Sequence, residues 1–172
     1  MKRTLVAIAA TTVMAAALMT MPTGPAAADL DAPFCHNADL KASYKSTGAG
    51  AGHAYGRIRL TNTSDHPCVT RGFGGLSYVG KGDGTQIGAA ADRAPSKVRR
   101  VLLHPGERAV STVDELNALN FPKRRCHPVH VNGFRVYVLD SKRSQFVPHA
   151  TTGCMRPRVH LLSHKAYRAT RG

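Results

Sequence analysis

The sequence predicts an all-β chain folded as an antiparallel β-sandwich, and three observations carry that prediction. The stretch 54–83, AYGRIRLTNTSDHPCVTRGFGGLSYVGKGD, holds an alternating strand, an Asn/Ser/Asp turn, a cysteine and a second short apolar run that closes on a Gly-rich turn. That is the pattern of two neighbouring strands in an antiparallel sheet. Elsewhere, short runs of period-two alternation are separated by turn residues, and no long helical periodicity interrupts them. The cysteines number four, an even count that in an exported chain predicts two disulfides.

Taken in order, Leu40, Ala42 and Tyr44 alternate with Lys41, Ser43 and Lys45 as a first strand, ahead of a flexible Gly/Ala loop over 48–52. In the second strand Ala54, Gly56, Ile58 and Leu60 take one face, and His53, Tyr55, Arg57, Arg59 and Thr61 take the other, because successive side chains of a strand point to opposite faces. Thr61 to Asp65 is turn chemistry, since Asn, Ser and Asp side chains bond their own backbone. Leu76 to Val79 form a third strand, residues 80–84 turn toward Thr85-Gln86-Ile87, and 89–96 reads as a loop. Val101 and Leu103 share a strand face, Pro105-Gly106 makes a tight turn, and Ala109, Ser111 and Val113 resume the alternation. Residues 114–120 fit a helical turn or irregular chain equally. Val129 and Val131 precede Asn132-Gly133, after which Phe134, Val136 and Val138 alternate with Arg135, Tyr137 and Leu139; Phe146-Val147 and 159–162 supply the closing strands.

Lys2 and Arg3, an almost wholly apolar run from Leu5 to Met21, and Ala26-Ala27-Ala28 together predict a signal peptide over 1–28. The apolar run is short and no stop-transfer pattern follows, so the expectation is a secreted, extracellular single domain over 29–172 with no transmembrane segment. Lys2 and Arg3 are the only cations of that leader and it holds no acid, so 22 of the 24 Lys and Arg remain with all ten acids, a formal charge of +12. The cations are scattered along the chain. Scatter favours diffuse attraction to polyanions, or simple solubility, over recognition of a specific nucleic acid.

For Cys35, Cys68, Cys126 and Cys154 three connectivities are open, and spacing alone does not choose among them. The favoured pairing is Cys35 with Cys68 and Cys126 with Cys154, because each bond would tie a terminal segment to a nearby hairpin. Loops of that size stabilise a fold by roughly 3 to 4 kcal/mol each on the chain-entropy argument. No CxxC pair is present, which argues against zinc.

Signatures of catalysis are missing where they would be needed. Around Ser77 the order Gly75-Leu76-Ser77-Tyr78-Val79 lacks the closing glycine of a nucleophile elbow. Gly80-Lys81-Gly82-Asp83-Gly84-Thr85 does not have the glycine-lysine-hydroxyl order of a phosphate loop, and no close carboxylate pair suggests glycoside hydrolysis. The expectation is therefore no catalytic residue, no cofactor and no metal. The histidines number nine; His127 and His130 fall on opposite strand faces, and His160 and His164 would stand roughly 13 Å apart at strand rise. A cupredoxin-like copper site remains as an alternative, built from Cys126, His130, Met155 and His53 or His104, and it requires a free Cys126 thiol.

Several pieces in a fixed order resemble the secreted, mainly actinobacterial domain of unknown function DUF4232. They are Ala51-Gly52-His53, Leu60-Thr61-Asn62-Thr63, Pro67-Cys68, Gly72-Phe73, Leu103-His104-Pro105-Gly106 with Ala109, Cys126, Gly133-Phe134-Arg135-Val136-Tyr137 and Cys154. The chain departs from that pattern at Gly74, where the family usually has proline. The resemblance implies an exported, immunoglobulin-like sandwich without an established activity, and it brings no catalytic residues. The expected function is a non-catalytic interaction module of the cell envelope or extracellular space. The alternatives are the copper site and a secreted enzyme inhibitor acting through 89–96. Tyr55, Arg57 and Arg59, projecting from one solvent face, form the candidate contact for an anionic envelope polymer, and another secreted protein is the other partner class. The competing reading of that stripe is protection of a sheet edge.

Overall fold

The computed structural model describes residues 32–139 and 141–170; the leader expected at 1–28 lies outside them. Twelve strands are present among the described residues, with one short helix and one 3-10 turn. A six-stranded sheet contains β1 (Leu40–Gly50), β2 (His53–Asn62), β8 (Arg108–Leu116), β11 (Leu162–His164) and β6 (Asp92–Arg93) in that order, with β12 (Arg168–Ala169) also paired to β8. Its neighbours are antiparallel except β11 and β6, which run parallel. A second, antiparallel sheet orders β10 (Ser144–Cys154), β9 (Pro128–Tyr137), β4 (Gly75–Gly80) and β5 (Thr85–Ala90). A two-stranded sheet pairs β3 (Cys68–Arg71) with β7 (Arg100–Leu103).

The inner face of β2 is Gly56, Ile58 and Leu60, all buried, as the alternation predicts. Opposite them on β8 stand Val113, Ser111 and Ala109, none more than a trace exposed. From the other sheet, Tyr78, Phe134, Val136 and Val147 close the core, and Phe134 is fully buried. The sheets are also joined at one margin by the Gln145 amide. Its Oε1 accepts from the Ala42 N–H at 2.8 Å and its Nε2 donates to the Leu40 carbonyl at 2.6 Å, so a side chain of β10 continues the ladder of β1.

The disulfides join Cys35 to Cys68 and Cys126 to Cys154. The second removes the free thiol that the copper alternative required, and that alternative fails. Other expectations are corrected by long-range pairing. The two strands of the 54–83 stretch are not neighbours: β2 lies in the six-stranded sheet and β4 in the four-stranded one. Asn62 starts the departure. Buried at the end of β2, its Nδ2 donates to the His66 and Leu103 carbonyls while its Oδ1 accepts from the Ser64 N–H and hydroxyl, which lifts the chain out of the sheet and into β3.

Residues 48–50 belong to β1 rather than to a loop, because the β1–β2 turn needs only Ala51 and Gly52, at φ 49° and 78°. Positive φ at both central residues is the type I′ geometry that matches strand twist. Asn132-Gly133 lies within β9, where a Cβ on Gly133 would come 2.3 Å from the Val147 carbonyl oxygen. Residues 114–116 continue β8, and only 118–120 form a 3-10 turn. Of 159–162, only Leu162 is in a strand. The 89–96 stretch is not a free loop: 89–90 end β5, Asp92–Arg93 pair with β11, and the Ala94 N–H donates to the His164 carbonyl. At Gly74 a Cβ would meet the Tyr137 carbonyl oxygen at 2.3 Å, so glycine stands there for want of space.

Candidate functional site

Tyr55, Arg57 and Arg59 do share the outer face of β2, with Tyr55 and Arg57 exposed and Arg59 half-buried. The strand is flanked on both sides, by β1 and by β8, so protection of a sheet edge does not explain its charges. Register then adds residues the sequence reading left separate. Lys45 stands directly opposite Arg57, and Thr61 stands between Lys41 on one side and Arg108 on the other. Arg59 is opposite Val110, whose other partner is Arg168. Lys41, Lys45, Arg108 and Arg168 are all exposed. Among the described residues none of these six cations is in an ion pair. Two acids lie on the Tyr55 row of the face, Asp114 directly opposite Tyr55 and Asp92 beyond Ser163. Asp114 is engaged by His53 at 2.7 Å, whose ring stacks on Tyr55 at 5.8 Å, and Asp92 by His160 at 2.9 Å. Directly opposed like charges such as Lys45 and Arg57 cost a sheet some tenths of a kcal/mol.

On the inner side of the same sheet lies a cluster that the sequence reading missed. Glu115 continues the alternation Ala109, Ser111, Val113 and so points into the core, where it is 3% exposed. An unpaired carboxylate there would be prohibitive. Three donors from three other strands meet it: the Tyr44 hydroxyl at 2.6 Å, the Tyr78 hydroxyl at 2.5 Å and His149 Nε2 at 2.9 Å. Phe134 lies beneath them, stacked on His149 at 4.7 Å and on Tyr78 at 5.4 Å. Tyr44 reaches Glu115 across β2 only because Gly56 has no side chain, since a Cβ there would sit 2.2 Å from the Tyr44 ring. Gly56→Ala is therefore expected to push Tyr44 from the carboxylate and to destabilise the fold by roughly 1 to 3 kcal/mol. Urea unfolding measures it, and an unchanged midpoint would show that the ring is free to move aside.

Burial is the largest influence on the Glu115 carboxyl and pushes its pKa up, but the hydrogen bonds from His149, Tyr44 and Tyr78 outweigh it and hold the group below the ordinary carboxylate value of 4.5. Burial and the neighbouring carboxylate push both phenols well above the ordinary tyrosine value. Across the physiological range the cluster thus holds an ionised acid and two protonated phenols. It borders a cavity of about 500 Å³ that opens at the β1–β2 turn and is lined also by His53, Asn117, Thr151 and Thr152. With Glu115 saturated by donors and Ser77 buried in β4, the arrangement is a polar tie between the two sheets.

Tyr55, Arg57 and Arg59 are thus brought together with further cations. His130 and Met155 line one cavity, but Cys126 is bonded to Cys154, and among the described residues no group of three or more His, Cys, Asp or Glu is placed to hold a metal ion. A family model described as a domain of unknown function (DUF4232) matches residues 35–164, a span that includes both disulfides and the Glu115 cluster. No curated protein matches the chain.

Proposed function

The chain belongs to the DUF4232 family, and from that premise we propose that it is an exported, non-catalytic binding module whose basic sheet face takes an anionic polymer of the cell envelope or extracellular space. The observation that carries this reading is the cross-strand assembly of Lys45 with Arg57, and of Lys41, Arg59, Arg108 and Arg168 around them. Side chains on one strand face repeat at about 7 Å and opposed strands add neighbours at about 5 Å. A flat lattice of cations at that spacing suits a repeating anion better than a compact one. Keeping directly opposed like charges in a sheet also costs stability that solubility alone does not require. Export is supported by the two disulfides, which persist in oxidising compartments. No helix among the described residues is long and apolar enough to cross a membrane. The non-catalytic part of the reading is supported by the mutual saturation of the Glu115 cluster.

Titration with a carboxylated polysaccharide tests the proposal. Binding is expected to weaken steeply with salt, because the Debye length is only about 8 Å at physiological ionic strength. Arg57→Ala with Arg59→Ala is expected to lower affinity about tenfold, since Arg–carboxylate contacts are charge-assisted hydrogen bonds. Changing the exposed Lys142 and Arg143 to alanine should alter it by less than half of that on a logarithmic scale. Equal losses from both pairs would reduce the interaction to net charge and remove the special role of this face.

A further inference from the structure

A second cationic feature shares no residue with that sheet face and lies beside the Cys126–Cys154 disulfide. The only α-helix among the described residues, α1 (Lys123–Cys126), is four residues long and ends at His127 in a left-handed conformation. Cys126, its last residue, is bonded to Cys154. The segment that follows Cys154 is laced back onto the helix end: the Met155 N–H donates to the His127 carbonyl at 3.1 Å and the Arg156 N–H to the Cys126 carbonyl at 3.2 Å. A turn then closes from the Val159 N–H to the Arg156 carbonyl at 3.1 Å, with Val159 buried beneath it. One covalent bond and these backbone bonds bring Arg125 together with Arg156 and Arg158, and the three line one concavity of about 680 Å³ with Pro157 and Val159.

We propose that Arg125, Arg156 and Arg158 form a binding site for a phosphoryl dianion, free or at the end of a larger molecule. All three cations are arginines, whose planar five-donor forks match tetrahedral oxyanions in a way that lysine does not. No carboxylate of the described residues pairs with any of them. After Glu115 the sequence has a single acid, Asp140, against eleven Lys and Arg. Three like charges gathered around one hollow repel each other, and a compact dianion relieves that repulsion while accepting several charge-assisted hydrogen bonds. The volume lies in the range of small-ligand sites, with room for a phosphoryl group and the group that carries it. Because the segments bearing the arginines are clamped together before any ligand arrives, little ordering of the backbone is needed on binding. The site shares no residue with the sheet face.

The test is calorimetric titration of the full chain with inorganic phosphate and, in parallel, with glycerol 3-phosphate, in a buffer free of other multivalent anions. Saturable one-to-one binding is expected. It should fall about tenfold or more in Arg156→Gln with Arg158→Gln, the loss that removing charge-assisted bonds brings. It should stay within about twofold in two controls of equal charge change, Lys142→Gln with Arg143→Gln and Arg57→Gln with Arg59→Gln. Equal affinity for the two ligands would mean that the phosphoryl group alone is recognised, and tighter glycerol 3-phosphate would mean an esterified source; both uphold the site. Absence of saturable binding by the native chain overturns it, as does an equal loss in a control pair. The sheet-face reading is judged separately by the carboxylated polysaccharide, which carries no phosphoryl group.

Discussion

Glu115→Ala is expected to lower the free energy of unfolding by about 3 to 5 kcal/mol, because it removes the one acceptor shared by several buried donors. The magnitude follows from what is left behind. His149, which meets Glu115 through a contact only 20% and 4% exposed on its two sides, would lose its acceptor, and so would the hydroxyls of Tyr44 and Tyr78. Orphaned buried donors of this kind cost about 1 to 3 kcal/mol each, less where water enters; the adjoining cavity of about 500 Å³ gives water access on one side, so the individual losses do not simply add. Glu115→Gln keeps one good acceptor and the shape but turns an amide NH2 toward existing donors, and it is expected to cost roughly half as much. Tyr78→Phe in the Glu115→Ala background should cost markedly less than Tyr78→Phe alone, because contacting groups couple. Urea unfolding near neutral pH measures all four chains. Glu115→Ala within experimental error of the native protein would mean that the two sheets hold together without this tie.

The strands were legible in the sequence wherever alternation is local. Ile58 and Leu60 facing in, and Tyr55 and Arg57 facing out, follow from a period of two and nothing else. Which sheet a strand joins is a different kind of information. The 54–83 stretch looks like one hairpin, yet the side-chain bonds of Asn62 to the His66 and Leu103 carbonyls lead the chain out of the six-stranded sheet into β3, and no pattern within the stretch announces a partner 41 residues away. The Glu115 cluster illustrates the same limit. Glu115 sits in register with Ala109, Ser111 and Val113, which was the available signal, but an acid at an inward position reads as the end of a strand unless its donors are known. Those donors lie 71, 37 and 34 residues away. In the alternation Gly56 is one more small inward residue, whereas its role in the fold is to leave room for Tyr44. The basic face was half visible: the stripe on β2 could be read directly, while Lys45, Arg108 and Arg168 joined it only through cross-strand register.

Acidification is expected to remove about 3 kcal/mol of stability between pH 6.5 and 4 through one buried histidine, His164, whose pKa is pushed down from 6.5 to about 4 by burial and, secondarily, by Arg93. His164 is 3% exposed. Ser111, which donates its hydroxyl proton to the Lys165 carbonyl at 2.5 Å, has only a lone pair left for His164 Nδ1 at 3.2 Å. That contact places a proton on Nδ1, burial keeps the ring neutral, and Phe73 covers one edge at 5.5 Å. A group whose native pKa is depressed stabilises the fold above its unfolded pKa, and that contribution is lost as pH falls toward the native value, because only the unfolded chain takes up the proton in between. At about 1.4 kcal/mol per unit, the interval from 6.5 to about 4 yields the stated loss. Glu115 acts in the same direction in a lower window: its carboxyl is held below 4.5 in the fold, so its contribution disappears only as pH drops beneath that value. The two windows separate the groups. In His164→Gln, urea unfolding as a function of pH should be nearly flat from about pH 6.5 to 5 and fall only below, while the native chain declines through the whole interval. Parallel curves for the two proteins would mean that His164 takes up its proton in the fold as readily as in the unfolded chain, and the acid sensitivity would then belong to the carboxylates alone.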